Sequence, residues 1–227
     1  VANSGNTVVI GAYANDTGGN NSGSVYVFNA TTGALAVTLA NPTPASGDLF
    51  GYSVATFGNT IVIGAPSDDA GAINSGRAYL FDSTTGALLA TLENPTPADN
   101  DQFGTSVAIW GNMVVVGANR DDTGASDSGT AYVFDATTGA LIATLANPTP
   151  ASGDQFGFSV AISGNTVVVG ASFDDTGASD SGSAYLFNST TGALLSTLAN
   201  PTPAIGDQFG NSVAISGNTV FIGASLD

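Results

Sequence analysis

A 53-residue beat kept without insertion, two hairpin signals in every beat and no helical periodicity predict an all-β chain. The architecture they imply is a β-propeller, or a propeller segment, of four-stranded antiparallel blades. The beat is plain in Phe-Gly-x-Ser-Val-Ala, which starts at Phe50, Phe103, Phe156 and Phe209. Gly-Asn-Thr keeps the same time at Gly5, Gly58, Gly164 and Gly217, with Gly-Asn-Met at Gly111. The chain therefore reads as one array over residues 1–227. Its units run over about 1–49 (partial), 50–102, 103–155, 156–208 and 209–227 (partial).

Residues 156–208 serve as the type unit. Phe156 to Ile162 alternates and is rich in β-formers, which predicts a first strand. Ser163-Gly164-Asn165 between apolar runs signals a two-residue hairpin, the glycine supplying a positive φ. Thr166 to Ala171 is apolar on successive residues, so both faces of this second strand must be covered. A polar stretch, Ser172 to Ser181, precedes a third strand from Gly182 to Phe187. Asn188-Ser-Thr-Thr-Gly192 forms the second hairpin, with Gly192 at a left-handed position. Ala193 to Leu198 is the fourth strand, and Asn200-Pro-Thr-Pro203 ends it because proline cannot donate to a ladder. A β-solenoid is the competing architecture, but its coils are shorter and lack two tight hairpins per repeat. A lone unit of this kind buries too little to fold without its neighbours.

Two basic against eighteen acidic residues give a net charge of −16. Such a surface repels phosphate backbones and anionic lipid, so nucleic-acid binding and electrostatic membrane docking are not expected. Cations and basic partners are favoured instead. The chain has neither Cys nor His, which removes thiol chemistry, disulfides, soft-metal sites and histidine-based triads. The Gly-, Thr-, Ser-, Asn- and Ala-rich composition suits an extracellular, bacterial cell-surface protein. No apolar run reaches the length of a membrane span, so no membrane insertion is expected.

Phe-Gly-x-Ser-Val-Ala, then Val-Val-Val-Gly-Ala, then Gly-x-Ala-Tyr-Leu-Phe resembles the FG-GAP repeat of integrin α-subunit propellers and their bacterial relatives. The Gly-Ala-Pro element stands here as Gly64-Ala65-Pro66, and as Gly-Ala-Asn or Gly-Ala-Ser elsewhere. The resemblance implies a β-propeller, usually of seven blades, in extracellular adhesion or recognition proteins. Many members join the first two strands by an acidic calcium loop of Asp-x-Asp-x-Asp-Gly type. Ser163-Gly164-Asn165 and its equivalents carry no carboxylate, so that calcium site does not carry over at this position.

In a four-stranded meander, alternate connections emerge on opposite faces. The loops between second and third strands hold Asp16, Asp68, Asp69, Asp121, Asp122, Asp127, Asp174, Asp175, Asp180 and Asp227. The linkers between units hold Asp48, Asp99, Asp101, Asp154 and Asp207. Fifteen of the eighteen acidic residues thus fall on one face, which makes it the first functional candidate. Asp121, Asp122 and Asp127, like Asp174, Asp175 and Asp180, supply three carboxylates per loop, the hard oxygen ligands that calcium takes. The alternative is turn chemistry, with the side chains capping backbone amides.

Positions that differ between units are the second indicator. One on the acidic face runs Ala14, Ser67, Arg120, Phe173, Leu226. One on the opposite face runs Ser4, Phe57, Trp110, Ser163, Ser216. Phe57 and Trp110 would lie on adjacent blades as exposed aromatics able to stack on a sugar or anchor a partner, which makes Trp110, Phe57, Arg120 and Phe173 candidate ligand-binding residues. The repeated Phe of Phe-Gly, and Tyr26, Tyr79, Tyr132 and Tyr185, are expected in the core because they recur in every unit. Asn15, Asn20, Asn29 and Asn188 open N-glycosylation sequons, which arise by chance in so Asn/Thr-rich a chain.

The expected function is an extracellular adhesion or scaffold module, part of a larger surface protein, whose partner is a protein or glycan at the cell surface. A lectin-like ligand-binding propeller is the alternative. A third expectation is a self-associating array joined through incomplete terminal blades, because residues 1–15 duplicate what residues 213–227 supply. Catalysis is not expected: no carboxylate pair is singled out from its repeat copies, and no phosphate loop is present.

Overall fold

The computed structural model describes residues 1–226, and Asp227, counted above with the acidic loops, lies outside the described residues. Four antiparallel sheets follow one another along the chain, each in simple strand order. Blade 1 is β1 (Ala2–Ser4), β2 (Thr7–Ala12), β3 (Ser24–Asn29) and β4 (Leu35–Ala40). Blade 2 is β5 (Ser53–Phe57), β6 (Thr60–Ala65), β7 (Arg77–Asp82) and β8 (Leu88–Glu93). Blade 3 is β9 (Phe103–Trp110), β10 (Met113–Ala118), β11 (Thr130–Asp135) and β12 (Leu141–Ala146). Blade 4 is β13 (Ser159–Ser163), β14 (Thr166–Ala171), β15 (Ser183–Asn188) and β16 (Leu194–Ala199). A two-stranded sheet, β17 (Phe209–Ser216) and β18 (Thr219–Ala224), completes the described array. The chain is all-β and has the blade architecture of a propeller.

Both hairpins form where the turn chemistry places them. Gly58, Gly111 and Gly164 each take φ +58° while the following asparagine stays at negative φ, the pattern of a type II′ turn. In the second hairpin Gly192 has φ +69°, and the Asn188 side chain accepts hydrogen bonds from the amides of Thr190 and Thr191. One expectation shifts. The first strand of blade 4 starts at Ser159 rather than Phe156: its ladder ends at the Ser159–Gly170 pair and Phe156-Gly157 lies in a turn, whereas the ladder of blade 3 continues through a bulge to Phe103.

Successive blades stack through their first strands, β1 on β5, β5 on β9, β9 on β13 and β13 on β17, while the fourth strands form the outer rim. The second strands are covered on both sides, as their unbroken apolar runs require. Val115, Val133 and Leu145 of blade 3, for example, pack on Phe156, Val167, Val169 and Tyr185 of blade 4. Phe50, Phe103 and Phe156 are fully buried in these seams, each contributing roughly 1.5–3 kcal/mol by area. Tyr79, Tyr132 and Tyr185 are buried with them, whereas Tyr26 and Phe209, at the two ends, are half-buried.

The rest of the Phe-Gly-x-Ser motif also belongs to the seam. The Ser106 hydroxyl donates to the carbonyl of Gly157 in the next blade at 2.7 Å, and Ser53 and Ser159 do the same to Gly104 and Gly210. Gly117 in β10 faces that carbonyl, and a Cβ there would overlap the Gly157 oxygen. The motif is therefore a blade-to-blade clasp rather than a ligand site.

Candidate functional site

The two faces of the array differ in what their polar groups do. On the acidic face, the linker that leaves one blade is tied to the loop after the second strand of the next. Tyr132 donates to Asp121 Oδ2 at 2.7 Å, and Thr96, from the preceding linker, lies 2.8 Å from the Tyr132 hydroxyl. Blade 2 repeats this with Tyr79, Asp68 and Thr43, and blade 4 with Tyr185, Asp174 and Thr149. A second carboxylate pins each linker to itself. Asp101 Oδ2 accepts from the Asn94 side chain at 2.8 Å and from the Ala98 amide at 2.7 Å, and Asp48, Asp154 and Asp207 make the same pair of bonds.

The acidic face thus holds unlike carboxylates, with Asp127 and Asp180 half-buried between two extremes. Asp48, Asp68, Asp101, Asp121, Asp154, Asp174 and Asp207 are buried in the clasps, and Asp16, Asp69, Asp99, Asp122 and Asp175 are exposed. The surface charge available to a partner is correspondingly smaller than the sequence count. Burial pushes the Asp48, Asp68 and Asp154 carboxyls above the usual range, Asp68 in spite of its hydrogen bond from Tyr79 and its ion pair with Arg77. Asp101 is pushed up to about 6, by burial first and then by the nearby Asp121 and Asp122 charges. The same burial raises the phenols of Tyr79, Tyr132 and Tyr185.

The calcium candidates divide in the same way. Asp121 and Asp174 turn inward to their tyrosines and accept the amides of Thr123 and Thr176. Asp122 and Asp175 stay on the surface and cap the amides of Asp127 and Asp180. Asp127 and Asp180 occupy left-handed backbone at φ +51° and +52°, where blades 1 and 2 carry Asn21 and Asn74. Among the described residues no group of three carboxylates converges as a cation site. Since one carboxylate of each loop is tied into the seam, we expect millimolar calcium to leave Tm unchanged. Differential scanning calorimetry with calcium and with a chelator checks this; a rise in Tm with calcium would contradict it.

The four candidate ligand residues do not come together. Arg120 and Phe173 lie on the acidic face in successive blades, Arg120 exposed and Phe173 half-buried edge-on against Phe158, ring centroids 6.3 Å apart. That face also carries a pair the sequence does not single out, Tyr13 and Tyr52, both exposed with centroids 5.5 Å apart. They stand at different repeat positions, so no periodic comparison aligns them.

Phe57 and Trp110 do meet. They end the first strands of blades 2 and 3 on the hairpin face, with ring centroids 5.2 Å apart and planes inclined at 47°. Phe57 is 38% and Trp110 43% exposed. The other members of this series do something different. Ser4 accepts a hydrogen bond from the Gly58 amide of the next blade's turn, and Ser163 accepts one from Gly217. Where the aromatics stand, the turn amides of Gly111 and Gly164 have no such cap among the described residues. The charged groups that the fold brings to this face, Asp82 and Asp135, each cap their own turn, which holds their carboxyls below the usual range.

Comparison with known proteins agrees with this architecture. The computationally designed protein Ika8 is similar in structure, with a TM-score of 0.62 and 23% sequence identity over 97% of this chain and 53% of that one. The chain thus spans about half the length of Ika8. The designed protein Ika4 is similar with a TM-score of 0.56 and 22% identity, over 86% of this chain and 94% of that one. None of the curated proteins compared with the chain matches it. The FG-GAP repeat profile matches residues 1–28, 37–81, 90–134, 141–187 and 198–227. With the profile matched in every blade, and its Phe, Gly and Ser each accounted for by a seam contact, the chain belongs to the FG-GAP repeat family.

Proposed function

We propose that the chain is an extracellular adhesion module that presents a surface to a partner at the cell exterior and performs no chemistry. One observation carries this reading: where the blades repeat, their recurring polar groups serve the seams, and where the repeat breaks on the hairpin face, two aromatics touch and stay exposed. Exposed aromatics at strand ends favour binding over catalysis, since the neighbouring carboxylates, Asp82 and Asp135, are each engaged in capping their own turn. Family membership and a Cys-free, acidic composition fit a protein at the cell exterior.

Fluorescently labelled chain added to intact cells tests the proposal. Saturable retention after washing, displaced by unlabelled chain, is expected. Retention no greater than that of an unrelated acidic protein would overturn it.

A further inference from the structure

We propose that Phe57 and Trp110 form a binding platform for a neutral carbohydrate, taking the apolar face of a pyranose on the rings and its hydroxyls on the neighbouring turns. The inference names a ligand class for the adhesion surface just described and rests on that reading for its biological setting only.

Three observations point to this chemistry. First, the aromatics replace a structural residue. Serine at this position closes the adjoining turn, as Ser4 does for Gly58 and Ser163 for Gly217. Blades 2 and 3 give up that hydrogen bond and put a large apolar ring beside an uncapped amide instead. The exchange gives up a cap and exposes apolar surface; the Phe57–Trp110 contact offsets part of that loss, and the outer ring faces are left open to a ligand. Second, the platform couples apolar surface with polar groups in the way a sugar requires. The amides of Gly111 and Gly164 are exposed donors, and the exposed carboxamides of Asn59, beside Phe57, and Asn165, beside Gly164, make no hydrogen bond among the described residues, whereas Asn112 is held by Asp135 and Thr137. Third, charge selects against the alternatives. Neither Arg77 nor Arg120 is on this face, Arg77 being paired with Asp68 and Glu93. With a net charge of −16 on the chain and Asp82 and Asp135 flanking the platform, an anionic glycan, phosphate or acidic peptide is repelled. A neutral ring with hydroxyl acceptors and an apolar C–H face fits what remains.

Trp110 is the only tryptophan of the chain, so its emission reports on the platform directly. The full chain would be titrated with neutral cello-, manno-, malto- and N-acetylated chito-oligosaccharides, with heparin and polygalacturonate as anionic controls. The expected result is a saturable change in Trp110 emission at micromolar to millimolar concentration for at least one neutral series, and none for the anionic controls. Calorimetric titration of Phe57→Ser and Trp110→Ser, which install the residue found in other blades, should show affinity falling at least tenfold with Tm retained. Should either variant fail to fold, Phe57→Leu and Trp110→Leu keep the apolar contact while removing the ring, and the same loss is expected. The proposal is overturned if no neutral series shifts the emission, if the anionic controls bind as well, or if folded variants bind like the parent. Saturable cell retention without any oligosaccharide binding would remove the carbohydrate site and leave the adhesion module standing.

Discussion

Gly117→Ala is expected to destabilise the chain by about 3 kcal/mol or more, the upper part of the range for an overpacked core position. Gly117 has ordinary backbone angles, so the penalty does not come from the loss of a left-handed conformation. It comes from contact. A Cβ at Gly117 meets the Gly157 carbonyl oxygen and the Ser106 hydroxyl, and the first of these is backbone of the next blade. That oxygen also accepts the Ser106 hydrogen bond, so moving it to make room breaks the tie between blades 3 and 4. Gly64 and Gly170 meet Gly104 and Gly210 in the same way, and the same substitution there should cost a similar amount. By contrast, Gly153→Ala, with open space around its Cβ, should cost only the strain of φ +89°. Urea unfolding of the three seam variants beside Gly153→Ala checks the ordering; equal losses at all four positions would refute the seam assignment.

The second large effect is on pH. Asp48, Asp68, Asp101 and Asp154 all have carboxyls raised above their unfolded range. The folded state therefore holds protons that the unfolded state has already released. The stability linked to these groups is fully present below the unfolded value of 3.8 and is lost as pH rises through the folded value, about 6 for Asp101. The chain should be more stable near pH 5 than at pH 7.5, by about 5 °C in Tm, and relief of repulsion in a chain of net charge −16 acts in the same direction. Below the usual carboxylate range the gain reverses, because Asp82 and Asp135 lose the turn bonds that lower their own values. Asp101→Asn isolates the main contribution. Asp101 is 1% exposed and its Oδ1 has no partner, while Oδ2 serves Asn94 and Ala98, a role that the amide oxygen of asparagine can keep. The variant should be more stable than the parent at pH 7.5 and respond less to acid. Calorimetric scans from pH 4.5 to 8 read both, and a parent Tm that falls on acidification to pH 5 would contradict the assignment.

These effects come from the part of the molecule that the sequence shows most clearly. A period free of insertions, Gly-Asn turns and continuous apolar second strands carry enough information for strand number, hairpin type and the stacking of blades. The split between the faces follows from meander topology and was equally legible. Side-chain direction was not. Asp121 and Asp122 are adjacent and chemically identical, yet one is sealed against Tyr132 and the other faces water. The difference depends on Thr96, which lies in the preceding linker and is brought close only when blades stack. Counting carboxylates in a loop therefore does not tell which of them face solvent. The placing of Phe57 and Trp110 as exposed aromatics on adjacent blades is legible because the two occupy the same repeat position, but the touching of their rings is not. The Tyr13–Tyr52 contact is not legible because their repeat positions differ, and the missing turn caps at Gly111 and Gly164 emerge only beside the serines that cap the other blades.

The central claim is that recognition sits on the hairpin face, where the repeat breaks, and that the acidic face is chiefly a set of seams. Cell retention of two double variants, each altered on one face, tests it most directly. Phe57→Ser with Trp110→Ser should abolish saturable retention, and Arg120→Ser with Phe173→Ser should leave it intact. Retention lost in the second variant, or preserved in the first while both remain folded, would contradict the account.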